Sequence, residues 1–148
     1  MLADWIIELL RCPETGQRIE LQAGVLTRED GRAFTDCSGI ASLLYPSSLE
    51  GDDAKMNRRY EIIAPFYDWS ERVLGRLLTG VDMARGRSEI VGLLGLERGW
   101  RILEVSPGPG VFQPLLRQTL GPASQIAAID LSPAMLLQCR RRHPDLAI

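Results

Sequence analysis

Lysine is almost missing from this sequence: Lys55 stands alone, so nearly all of the 17 positive charges are arginines. Histidine is as scarce, with His143 the single one, near the carboxyl end. Against 19 acidic residues the net charge is -2, which removes any compositional reason to expect a nucleic-acid partner. Cysteine is sparse too. Cys12, Cys37 and Cys139 are odd in number and widely scattered, which excludes a disulfide framework of the secreted kind and leaves reduced thiols. No apolar run approaches the roughly 20 residues that a membrane-spanning helix requires. The opening "MLADWIIELL" is interrupted by Asp4 and Glu8, and neither a basic leader nor a small-residue cleavage site accompanies it, so it reads as a short amphipathic helix. A soluble, cytoplasmic globular protein is the expectation, with 45% apolar residues as material for a core.

What is present divides the chain into three. Residues 1–46 mix that helix with brief apolar runs, Arg18 to Leu21, Val25 to Thr27 and Arg32 to Thr35, separated by the turn signals "PETG", "QAG" and "EDG". Such a piece is a small β-ribbon with little core of its own. Residues 47–57 carry serine, glycine and acids in place of apolar periodicity, the composition of a linker. From residue 58 a helical lead-in follows, with apolar residues at Tyr60, Ile63, Phe66 or Tyr67, Val73, Leu74, Leu77 and Leu78 and an interruption at Pro65. A further helix is predicted over Met83 to Leu94, stopped by Gly95 and Gly99.

Beyond Trp100 the pattern becomes strand, helix, strand, helix: "RILEV", "VFQPLLRQTL", "SQIAAID" and "SPAMLLQCRRR". That order is a parallel βαβ unit, and Ser132 with Pro133 has the chemistry of an N-cap and first helical residue. The fold class is therefore α/β. Two strands make a small sheet, so the chain reads as the front portion of a longer protein, with sheet edges open to homodimer pairing. Between the first strand and helix lies "SPGPG", where Gly108 and Gly110 let the backbone approach a ligand because no Cβ stands in the way. Asp130 follows Gly110 at the distance at which nucleotide-binding βαβ units keep an acid for ribose hydroxyls. A dinucleotide fingerprint would place a third glycine where Gln113 stands, so a pyrophosphate ligand and a nicotinamide-dependent oxidoreductase are disfavoured. Glu104 suits a ligand with a cationic amino-acid end.

The strings "ILEVSPGPG" and "IAAIDLSPAML" resemble the first two motifs of class I S-adenosylmethionine-dependent methyltransferases, and "YEIIAPFYDW" resembles the segment that precedes the core in the branch containing ubiquinone and menaquinone biosynthesis enzymes. The resemblance covers residues 58–148. It implies a partial Rossmann-like core, the first βαβα, with S-adenosylmethionine as cofactor and a small-molecule or quinone-like methyl acceptor. By the same resemblance Glu104, Ser106, Gly108 and Gly110 line the methionine part, Asp130 holds the ribose, and Leu131 and Met135 lie beside the adenine. Ser106 stands where the family has its first motif glycine, and Pro107 and Pro109 remove two N–H donors from the loop. A noncatalytic methyltransferase-like domain that docks to a partner or dimerises is the alternative these departures permit. Methyl transfer depends mainly on alignment, so no residue is nominated as catalytic.

In the amino-terminal piece, "LLRCPETG", "GRAF" and "GIASLL" are similar to a small zinc-ribbon-like domain that activates methyltransferases or is fused to them. Metal-binding members place two C-x-x-C pairs around zinc. Here the pairs read Cys12 with Thr15 and Thr27 with Asp30, which implies a ribbon with no metal ligand set. Arg140, Arg141 and Arg142 are expected to complement a helix dipole, and Cys139 to be a small buried group. His143 is not read as a base. Trp5, Trp69 and Trp100 are read as packing residues, and Tyr67 and Asp68 as a packed ring and a helix cap or, as the methyltransferase resemblance implies, a wall over the cofactor's methyl group.

Overall fold

A computed structural model describes residues 4–34, 40–67 and 83–148. Among these the elements run α1 (Asp4–Ile7), β1 (Ile19–Gln22), β2 (Val25–Arg28), β3 (Ala33–Phe34), α2 (Gly51–Ile63), a 3-10 turn (Ala64–Phe66), α3 (Met83–Leu93), β4 (Arg101–Val105), α4 (Gln113–Leu120), β5 (Gln125–Ile129) and α5 (Pro133–Arg142). The protein is a mixed α/β structure. Asp68 and Trp69, the apolar positions Val73, Leu74, Leu77 and Leu78, and Cys37 lie outside the described residues. No helix among the described residues is long and apolar enough to cross a membrane.

The ribbon is a three-stranded antiparallel sheet in the order β1-β2-β3. Ile19 faces Arg28 and Gln22 faces Val25, so two residues, Ala23 and Gly24, close the first hairpin. β1 and β2 begin within a residue of the predicted runs, whereas β3 is shorter than the run Arg32 to Thr35, Thr35 lying outside the described residues. Inside the ribbon, Cys12, Ile19 and Leu26 are buried, with Ile7, Leu10, Phe34 and Leu43 packed around them.

The stretch read as a linker is largely helical, because α2 starts at Gly51. Its acids explain this: Asp52 and Asp53 fall in the first turn, where negative charge favours the helix dipole, and Lys55 bonds Asp52 one turn back at 2.9 Å. Turn-like composition thus served as a helix start. No residue of α2 is buried, and Tyr60, Ile62 and Ile63 are exposed; α2 and the 3-10 turn lie against α5.

β4 and β5 pair in parallel, Arg101 beside Gln125 through Val105 beside Ile129. On the far side of β5, Ala147 bridges Ala127 in parallel, with the Ala128 N–H donating to the Ala147 carbonyl at 2.9 Å. A third strand position therefore begins beside β5, one more than the sequence pattern predicts. Paired residues of a parallel ladder share a face. Ile102, Ile126 and Ala128 point into a core with Val91 of α3, Leu116 and Leu120 of α4, Cys139 of α5 and Leu146. Leu103, Val105 and Ile129 point the other way and are 54%, 66% and 50% exposed. Trp100, expected in packing, is 44% exposed because it stands just before the first ladder pair, at the open end of the sheet. Trp5 is half-buried and lines a cleft with Arg117, Ser124 and Asp145.

Candidate functional site

Equal register brings the loop and the acid together. β4 and β5 end on the paired residues Val105 and Ile129, so Ser106 and Asp130 leave the sheet side by side, and the Ser106 N–H continues the ladder to the Ile129 carbonyl at 2.8 Å. Two residues on, the Gly108 N–H donates to Asp130 Oδ2 at 3.1 Å. The other carboxylate oxygen, Oδ1, accepts from the Ser132 N–H at 2.9 Å and so leads the chain into α5. Ser132 is the N-cap, as its position before Pro133 suggests: its hydroxyl accepts from the Met135 N–H at 3.4 Å.

The loop alternates two kinds of backbone. Ser106, Gly108 and Gly110 have φ of 59°, 54° and 81°, in the left-handed region, while Pro107 and Pro109 between them are held near the ordinary proline value. A serine in that region carries a strain of about 1–2 kcal/mol, which a glycine at the same place would not. The two glycines differ in what surrounds them. An added Cβ on Gly108 would meet nothing within 4 Å, whereas one on Gly110 would lie 2.7 Å from Cys139 Sγ and 2.7 Å from His143 Cδ2. Gly108 therefore faces open space, and Gly110 permits α5 to pack against the loop. The two glycines, equivalent in the sequence reading, have separate tasks.

Glu104 sits on the core-side face of β4, half-buried, and accepts a hydrogen bond from Gln113 Nε2. Burial raises its carboxyl above the usual glutamate range, and the Gln113 amide pulls it partly back. Gln113 is fully buried, and its Oε1 has no hydrogen-bond partner. The position that a dinucleotide site would give to glycine is thus filled by an amide tied to β4. Cys139 is also fully buried, and its thiol is pushed up to about 11 by burial and then by the charges of Glu104 and Asp130. Both carboxylates are accordingly close to it.

His143 was set aside in the sequence and proves to be part of the loop's support. Its Nε2 lies 3.1 Å from the Gly110 carbonyl, an acceptor, so the proton sits on Nε2; burial holds its pKa below the ordinary histidine value. Arg142 donates to the Pro109 carbonyl at 3.3 Å. The only advance signal was position, since Arg142 ends α5 and His143 follows it directly. Leu131 is exposed beside Asp130. Met135 is 2% exposed and belongs to the interior, because the N-cap turns it inward under Ser132. Glu104, Ser106, Gly108, Gly110, Asp130 and Leu131 are thus gathered at one end of the sheet, and Met135 stands behind them.

The ribbon holds a second cluster. The chain turns back at "CPETG", with the Gly16 N–H on the Cys12 carbonyl at 2.8 Å, and the Thr15 hydroxyl with the N–H groups of Thr15 and Glu14 lower the Cys12 thiol to about 7. Arg28 Nη1 reaches Cys12 Sγ at 3.6 Å, while its remaining nitrogens bond both oxygens of Asp30. Glu14 lies 3.7 Å from the same guanidinium. Cys12 and Asp30 are two of the four positions expected, from the sequence resemblance, to correspond to zinc ligands, and a guanidinium already joins them. With one soft donor among the four and a guanidinium between two of them, the residues do not fit a structural zinc site.

No family model matches this chain, and no curated protein matches it.

Proposed function

We propose that residues 58–148 form the cofactor-binding part of a Rossmann-like, class I S-adenosylmethionine-dependent methyltransferase acting on a small molecule or quinone-like acceptor. The observation that carries this reading is the bond from the Gly108 N–H to Asp130 at the shared end of two parallel strands, beside an open space over Gly108. Crevices beyond the carboxyl ends of parallel strands are where α/β folds bind nucleotides. Asp130 uses one lone pair on each oxygen for the backbone, which leaves acceptor capacity for two ribose hydroxyls. Glu104 attracts the cationic amino-acid end, Gly108 leaves room for the ligand to pass close to the loop, and the exposed Leu131 offers apolar surface to the base. The chemistry that S-adenosylmethionine supplies when bound is an electrophilic methyl group for an acceptor nucleophile. Calorimetric titration tests the reading. S-adenosylhomocysteine is expected to bind and NAD to give no heat; binding of NAD in preference, or of neither, would contradict it.

A second reading is favoured by a different observation. Leu103, Val105 and Ile129 form an exposed apolar face on β4 and β5, and β4 has no partner on its outer edge among the described residues. Such a surface suits a noncatalytic domain that docks or dimerises. Concentration-dependent dimerisation in sedimentation, with no binding of either nucleotide, is the result that supports it.

A further inference from the structure

We infer that Gln113 is a positioning residue for Glu104: its amide fixes one carboxylate oxygen, so that the other oxygen is available to a cationic ligand. This rests on the proposed cofactor site for the ligand's identity, but not for the coupling itself. Gln113 opens α4 and is fully buried against β4, with Nε2 on Glu104 Oε2. A glutamine amide in the interior is costly to leave unpaired, and its Oε1 has no partner here, so the bond to Glu104 is the one that compensates its burial. A hydrogen bond given to a carboxylate favours the charged form, whereas burial favours the neutral one. The two effects meet on Glu104 and oppose one another.

The titratable and charged groups around this carboxyl are few. Cys139 of α5 faces it and is neutral at physiological pH, and Asp130 at the end of β5 acts on the same thiol. Arg142 and His143, at the end of α5, bond the carbonyls of Pro109 and Gly110, and Arg117 of α4 pairs with Asp145. None of these hydrogen bonds reaches Glu104, which leaves Gln113, among the described residues, as the donor that offsets its burial. Any cationic ligand there meets a carboxylate whose orientation is set by that amide.

The test is a carbon-13 NMR titration of the Glu104 carboxyl, assigned with E104Q, in the wild-type chain and in Gln113→Met. The variant keeps the volume and removes the donor, so the midpoint is expected to move to higher pH, and S-adenosylhomocysteine binding at pH 7 to weaken about tenfold. An unchanged midpoint overturns the inference. A raised midpoint in a chain that binds no S-adenosylhomocysteine even as wild type supports the coupling and removes the cofactor reading instead. If Gln113→Met does not fold, the wild-type chain suffices: the Gln113 side-chain amide resonances should titrate together with Glu104, and amide resonances indifferent to that midpoint overturn the inference.

Discussion

Gly108 and Gly110 show how much a single hydrogen can decide. Both have left-handed backbones, so an alanine costs about 1–2 kcal/mol at either from conformation alone. At Gly110 the new methyl also collides with Cys139 and His143, and overpacking adds about 1–3 kcal/mol. Gly110→Ala is therefore expected to destabilise the protein by about 3 kcal/mol in denaturant unfolding, and Gly108→Ala by about 1 kcal/mol while weakening the proposed binding of S-adenosylhomocysteine. Equal losses of stability at the two positions would refute this division. The sequence reading placed both glycines on the ligand because spacing reveals where glycines are, not which side of each is crowded. Ser106 is a related case. It departs from the resembled motif in identity, and its own backbone is left-handed, so the loop carries a strained residue there.

At the level of elements, the ribbon and its Arg28 give the clearest physical contrast with the sequence. The sequence reading singled out Cys12, Thr15, Thr27 and Asp30 but not Arg28, because the role of Arg28 depends on β2 bringing a long side chain to Cys12. Arg28 is almost covered; its hydrogen bond adds to the larger effect of Thr15, and to that of Glu14, in lowering the Cys12 thiol, and it holds Asp30 well below the usual aspartate range. A thiol whose folded pKa is near 7, against 9.0 for the free group, is deprotonated in the folded chain and protonated in the unfolded one between those values. Stability therefore rises with pH from about 7 to about 9 and is lost as pH falls through 7. Arg28→Met is expected to lower the melting temperature by several degrees and to shift the pH at which Cys12 alkylates upward. Alkylation with an unaltered pH profile would show that the guanidinium does not act on the sulfur. The start of α2, not its later half, was misread for a related reason: Asp52 and Asp53 look like loop residues in composition, yet at a helix start they face the positive end of the dipole.

Across the chain, the best-read part was the parallel unit. Strand and helix periodicity, the Ser132 and Pro133 helix start, and the pairing of loop with acid all follow from local patterns that a βαβ crossover makes spatial neighbours. Long-range features were not legible: the Ala147 bridge, the docking of His143 on Gly110 and the amide of Gln113 on Glu104 join residues whose spacing has no period. The central claim concerns the open space beside Gly108, where the loop after β4 meets Asp130 at the end of β5. Titration of the nitrogen-15-labelled chain with S-adenosylhomocysteine, read by amide chemical shifts, tests it most directly. The account predicts saturable shifts at Gly108, Asp130, Leu131 and Ser132, with the ribbon residues around Cys12 unmoved. Shifts absent at Gly108 and Asp130, or confined to the ribbon, would contradict it.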